Sequence, residues 1–243
     1  MSRDFDAVDD VVNLGTGNNI SNLGSQTMVA WVDQQGTSEN NIGYIFSKSE
    51  AGAGPRFFIN DGNGAVSFGF NSATASAPLR ISANAFAYAA SIAGWSGYAG
   101  TWDGSMTATG IRIYKYVSPN NLIESPTYQT TTDGSTGEAD NSALNFYIGN
   151  RGDGARTWNG LIAHFQYFNR VLDTKEIIQS FLFPGSITQG LVIFLPLYGS
   201  ISPEPDYSGN KNNGTVTGAT KGTTEPPING IFQVPKPELI TSF

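Results

Sequence analysis

Short β-forming runs separated by Asn, Asp, Gly and Pro recur along the whole chain, and only one segment reads as a helix. Ten or more strands need cover for their apolar faces, and two antiparallel sheets packed on each other supply it most simply. Residues 27–32 (Thr-Met-Val-Ala-Trp-Val) are apolar on both faces and predict a central strand. Residues 43–48 follow. Residues 56–60 and 65–70 flank Asp61-Gly62-Asn63-Gly64, residue types that tolerate the positive φ of a hairpin turn. Further strands are expected at 95–102, 110–117, 144–149, 160–168 and 191–197, with a weaker one at 79–81. Trp31, Trp95 and Trp102 fall in strands and are expected in the core. Asp173 and Glu176 make an Asp-x-x-Glu capping box, and Ile177, Ile178, Phe181 and Leu182 share one face before Pro184-Gly185. One short helix is therefore predicted near 173–183. The Ala- and Ser-rich stretch 73–94 reads as an irregular excursion, and 130–141 as a polar loop.

The 243 residues suit a single all-β unit. Charged residues are 14%, too few for the outer faces of a helical bundle, and aromatics are 12%, too many for a disordered chain. The net charge is −7 and the 13 basic residues form no run, so neither nucleic acid nor an anionic membrane is an expected partner. With no cysteine and His164 as the single histidine, disulfides, thiolate sites and multi-histidine metal centres are excluded. The opening six residues lack the apolar run of a signal peptide, and the longest apolar run, 191–197, is too short to span a bilayer.

Six segments in order resemble laminin-G-like domains of the concanavalin A-like lectin/glucanase superfamily. They are Phe5-Asp6-Ala7-Val8-Asp9-Asp10-Val11-Val12, Met28-Val29-Ala30-Trp31-Val32, Ile45-Phe46-Ser47-Lys48 and Tyr98-Ala99-Gly100-Thr101-Trp102-Asp103-Gly104. Tyr147-Ile148-Gly149 through Trp158-Asn159-Gly160-Leu161-Ile162 comes next, and Phe168-Asn169-Arg170-Val171-Leu172 with Glu176-Ile177 closes the series. The resemblance spans residues 5 to 178 and implies an all-β, concanavalin A-like jelly-roll sandwich. Two departures stand out. Ala163-His164 replaces an acidic pair that the family carries in its late strand. Residues 190–217 look like the family's leading segment but come last. They are expected to return as a late strand pair beside the N-terminal strand, with 1–225 as one sandwich and 226–243 as an extended, Pro-containing tail. A remnant second repeat, or donation to a neighbouring subunit, are the alternatives.

Candidate chemistry follows from residue types. A glucanase places Glu-x-Asp-x-x-Glu on one strand so that all three carboxyls face the sugar. Glu138-Ala139-Asp140 and Glu204-Pro205-Asp206 each lack the third acid, with Ala143 and Gly209 in its place. His164 lies mid-strand and reads as structural, so no catalytic residue is expected. Sugars offer apolar faces for aromatic rings and hydroxyls for Asn, Asp and Arg. The glycine-rich loop 149–159 gathers these types, and Asn150, Arg151, Asp153, Arg156 and Trp158 are the candidate ligand contacts. Trp158 also fits a core position before Asn159-Gly160. Calcium takes six to eight oxygen ligands. Asp9, Asp10, Asn13 and Asp153 are candidate donors, while Asp6, Asp9 and Asp10 also read as turn residues fixing the first strand.

The expected function is a non-enzymatic, lectin-like surface or virion-associated module that recognises glycans or decorates a particle. Similar domains occur in tailed-phage structural proteins, so a virion, or extracellular release by lysis, is the expected location. Glycans or neighbouring virion subunits are the expected partners, with a homo-oligomer among the outcomes. The rival readings are a structural subunit-packing protein without sugar binding and, last, a polysaccharide hydrolase.

Overall fold

A computed structural model describes residues 2–48, 54–62, 64–70, 79–83, 94–117, 121–125, 127–128, 130–134 and 138–228. Within them, two eight-stranded sheets face each other. The first contains β1 (Arg3–Asp6), β3 (Gln26–Gln34), β8 (Ser96–Trp102), β9 (Ile111–Val117), β10 (Asn121–Glu124), β13 (Asn159–Phe168), β14 (Leu191–Leu195) and β16 (Thr220–Lys221). The second contains β2 (Val11–Asn13), β4 (Ile42–Ser47), β5 (Arg56–Asn60), β6 (Ala65–Phe70), β7 (Leu79–Ala83), β11 (Thr130–Thr132), β12 (Tyr147–Ile148) and β15 (Thr215–Thr217). All pairings are antiparallel. The two packed antiparallel sheets that the strand pattern predicts are present, in the concanavalin A-like jelly-roll sandwich that the resemblance implies.

Side chains alternate as the pleat requires. Phe57, Ile59, Val66, Phe68 and Ile148 of the second sheet meet Met28, Tyr98, Ile113, Phe165 and Tyr167 of the first in one buried cluster. Phe46 and Phe146 stack there with centroids 5.2 Å apart. The first sheet is also apolar on its outer face, which explains the two-sided reading of residues 27–32. Helix α1 (Thr174–Leu182) covers that face. Its Phe181 and Ile177 pack on Val29, Trp31, Tyr116 and Phe168. Trp31 meets Tyr116 and Phe181 edge-on, at 5.4 and 5.5 Å. Gly97 has no side chain because a Cβ there would sit 2.6 Å from the Phe181 ring. The capping box forms as expected: Asp173 accepts the Glu176 amide at 2.9 Å, and the Glu176 side chain accepts the Asp173 amide at 3.0 Å.

Three expectations need correction. Thr130–Thr132, read as loop, forms edge strand β11 on β7. Its β-branched threonines suit a strand, but as a short polar edge it carries no apolar signal. The strand expected at 144–149 shrinks to Tyr147–Ile148, because residues 142–144 turn, with the Leu144 amide on the Asn141 carbonyl at 3.1 Å. Trp95 precedes β8 and is only partly buried, on the outer cluster, whereas Trp31 and Trp102 are core residues. The weak strand at 79–81 is β7. Most of the 73–94 excursion, with Tyr88, lies outside the described residues, as does the tail from residue 229.

The C-terminal segment is divided between both sheets. Leu191–Leu195 lies beside β13, β15 pairs with β2, and β16 pairs with β1. His164 marks the point where β13 changes neighbour, from β1 on its N-terminal half to β14 on its C-terminal half. The bulge there puts His164 at φ 49°, and its amide donates to the Pro196 carbonyl at 3.1 Å. No helix among the described residues is long and apolar enough to cross a membrane.

Candidate functional site

The 149–159 loop leaves β12 at Gly149 and enters β13 at Asn159. Gly149 has φ +82°, and a Cβ there would fall 2.0 Å from the Phe5 ring, so glycine is required twice over. Asn150 is buried and organises the turn. Its Nδ2 donates to the Asp10 carbonyl at 3.3 Å and to Thr157 Oγ1 at 2.7 Å. Its Oδ1 accepts the amides of Arg151, at 2.7 Å, and Arg156, at 3.2 Å. The far side is tied to the 37–41 turn, where Glu39 accepts both the Thr157 amide and its hydroxyl at 3.1 Å.

Trp158 is fully buried in the inter-sheet core. Gly43 makes room for it: a Cβ on that residue would lie 2.7 Å from the indole. Trp158 therefore presents no ring to a ligand, and Asn150 has its amide engaged by Thr157 and by the Asp10 carbonyl. The polar side chains left at the rim are Arg151, Asp153 and Arg156. Arg151 Nε donates to Asp153 Oδ1 at 2.8 Å, and a second contact joins its terminal nitrogen to Oδ2. This pairing holds the Asp153 carboxyl below its ordinary range and raises the Arg151 guanidinium. Arg151 also lies over the Tyr44 ring, 5.9 Å from its centroid.

Next to this loop, Asp6, Asp9 and Asp10 place carboxylate oxygens within 4.8 Å of one another. Asp10 is the buried member. Burial, more than the neighbouring charges of Asp6, Asp9 and Asp4, pushes its carboxyl up to about 6. Asp10 Oδ2 accepts the Asp6 amide, and Asp6 Oδ1 accepts the Val8 amide, both at 2.9 Å, so each keeps a second oxygen. Three hard oxygen donors in this space suit calcium chemically. The set differs from the expected one. Asp153 is clamped by Arg151, Asn13 caps its own turn through the Gly15 amide at 2.8 Å, and Asp6 takes their place. The Phe-Asp-x-x-Asp-Asp spacing carried that signal, since the turn after β1 folds Asp10 back onto Asp6.

The four carboxyls of the partial glucanase matches all serve the scaffold. Glu138 is partly buried, accepts the Asn141 amide group at 2.8 Å, and is pushed up to about 7 by burial. Asp140 is held down to about 2 by Asn22 and Ser142, as part of a reciprocal Asn22–Asn141 stitch between two loops. Glu204 is fully buried against Arg3 at 2.8 Å. Asp206 accepts the amides of Phe194, Ser208 and Asn212, each at 2.9 Å. His164 keeps a little surface, but burial and then the N-terminal charge push its imidazole down to about 3, so it stays neutral near pH 7.

Two packed antiparallel sheets with a hydrogen-bonded rim loop define the class of β-sandwich to which this chain belongs. The chain belongs to the laminin-G-like family: the laminin G 3 profile, described as concanavalin A-like lectin/glucanases superfamily, matches residues 6–178. Among solved structures, it is similar to a protein from Bacteroides ovatus described as carbohydrate-binding, at 18% identity and TM-score 0.62. That match covers 93% of this chain but 60% of the other, so the chain spans about three-fifths of that protein. The CBM40 of Ruminococcus gnavus IT-sialidase, bound to α2,6-sialyllactose, matches at 15% identity and TM-score 0.47, over 73% of this chain and 96% of that one. A heptameric SAP-like pentraxin from Limulus polyphemus matches at 15% identity and TM-score 0.45, over 74% and 80%. No curated protein sequence matches the chain.

Proposed function

We propose that the chain is a non-catalytic carbohydrate-binding module that meets its glycan at the 149–159 rim. The observation that carries this reading is the preorganised loop. Buried Asn150 fixes its backbone, while Arg151, Asp153 and Arg156 keep exposed surface, with Arg151 lying over the buried Tyr44 ring. Preorganised polar groups are what sugar hydroxyls require. The fold shared with the Bacteroides ovatus protein agrees with such a role. Each carboxyl of the partial glucanase matches accepts structural hydrogen bonds, which favours binding over catalysis. Calcium at Asp6, Asp9 and Asp10 would stiffen the adjoining turn, through the Asn150 bond to the Asp10 carbonyl.

A glycan array with the intact chain tests the proposal. Binding to a defined set of saccharides that weakens on Arg151→Gln or Arg156→Gln is expected. Absence of any saccharide binding, with self-association by light scattering, would favour the subunit-packing alternative instead.

A further inference from the structure

β14 (Leu191–Leu195) reads Leu-Val-Ile-Phe-Leu, every residue of it is buried, and among the described residues its only ladder partner is β13. The other outermost strands are short and polar. β10 carries Asn121 and Glu124, β11 and β15 carry threonines, and β16 is Thr220-Lys221. A wholly apolar strand with open backbone groups on one side is a template for pairing with a further strand.

In an antiparallel pair, alternate residues direct both backbone groups to the same side. On β14 the residues facing away from β13 are Val192 and Phe194, and the 206–212 loop, not a strand, meets them. Asp206 Oδ1 accepts the Phe194 amide at 2.9 Å, and the Tyr207 amide donates to the Phe194 carbonyl at 2.8 Å. The Val192 carbonyl receives Ser208 Oγ at 3.1 Å and Asn212 Nδ2 at 2.7 Å. Asn210 Nδ2 donates to the Leu191 carbonyl at 3.1 Å. Asp206, Ser208, Asn210 and Asn212 occupy every second position, so their side chains stand in for the backbone of a neighbouring strand. The loop is also tied to itself. Asp206 Oδ2 accepts Ser208 Oγ at 2.8 Å and the Asn212 amide at 2.9 Å, and Asn213 Oδ1 accepts the Asp206 amide at 2.9 Å. The Tyr207 ring packs on Phe194 with centroids 6.3 Å apart.

We propose that the 206–212 loop is an edge guard, which satisfies the outer backbone of β14 and so keeps this apolar strand from adding the β14 of a second copy. A cover of side chains suits this task better than another strand, because it presents no new row of amides and carbonyls on its far side. With the guard loosened, two chains meet through the same edge about a two-fold axis, which pairs β14 antiparallel with its copy. The guard acts whatever the rim binds.

Light scattering over a concentration series, together with residue-resolved hydrogen exchange on the intact chain, tests the proposal. Asp206→Ala removes the acceptor of the Phe194 amide. Its mass should rise with concentration to twice that of the parent. At low concentration its Phe194 amide should exchange about tenfold faster than in the parent or more, and association should slow it again. Lys211→Gln, at an exposed position of the same loop, should behave as the parent. The Ser208→Ala/Asn210→Ala double variant keeps the Asp206 bonds to Phe194 and Asn212, and its mass decides the matter if Asp206→Ala does not fold. A folded Asp206→Ala, or failing that the double variant, whose mass equals the parent's at every concentration overturns the guard. Association that leaves the Phe194 amide of Asp206→Ala exchanging fast overturns it as well, since the contact then lies elsewhere.

Discussion

Replacing Arg3 by Met should unfasten the C-terminal segment from the N-terminal strand. Arg3 lies on β1 with its side chain 5% exposed, and Glu204 is fully buried. The guanidinium donates to Glu204 Oε1 at 2.9 Å and to the Ala219 carbonyl at 2.8 Å, and it also reaches the Ile201 carbonyl. The substitution leaves the Glu204 carboxylate with the Gly199 amide, at 3.0 Å, as its one remaining donor among these contacts. Breaking a buried pair from one side typically costs about 3–5 kcal/mol. For a domain of this size, about 2–4 °C per kcal/mol puts the loss in Tm at about 6–20 °C. Glu204→Gln should cost less, because the guanidinium keeps its two carbonyl acceptors. The Arg3→Met/Glu204→Gln double variant should be less damaged than the sum of the singles, by about 1–3 kcal/mol. Urea unfolding followed by circular dichroism measures all three. The fastening occurs within one chain, so the midpoints should not move with protein concentration. Single losses below about 1 kcal/mol, or strict additivity, would refute the reasoning.

Three further outcomes are expected. Glu138 has its carboxyl raised from 4.5 to about 7, so the folded state holds the proton more tightly than the unfolded chain does. Its contribution to stability must fall as pH rises from about 4.5 to 7, and Glu138→Gln should be more stable than the parent at pH 8 by up to about 3 kcal/mol. Asp10 and His164 titrate in overlapping windows in both proteins, so the difference between their stability–pH curves isolates Glu138. Parallel curves would contradict the buried setting of that carboxyl. Millimolar calcium should raise the Tm relative to chelator, and Asp10→Asn should abolish the rise; an unmoved midpoint removes calcium from Asp6, Asp9 and Asp10. Gly149→Ala meets both a φ of +82° and the Phe5 ring, and should cost about 2–4 kcal/mol in urea unfolding. A loss under about 1 kcal/mol would show that the loop can shift away from Phe5.

What could be read from the sequence follows from where each signal is stored. The central strands β3 and β13 announce themselves because burial on both faces makes them apolar throughout. The helix was equally plain, since capping box and apolar face are both local to residues 173–182. β10 and β11 escaped notice because they are short outer strands whose residues need not be apolar. The bulge at His164 depends on which strands flank β13 and has no local mark. Trp158 reads two ways, as a rim aromatic among polar neighbours and as a core residue before Asn159-Gly160. Its burial is decided by Gly43, 115 positions away, which leaves the space it fills.

The rim loop divides in the same way. Asn150, Arg151 and Asp153 are contiguous, so their grouping was legible, but their roles were not. Hydrogen bonding divides them into an organiser, Asn150, and a presented ion pair.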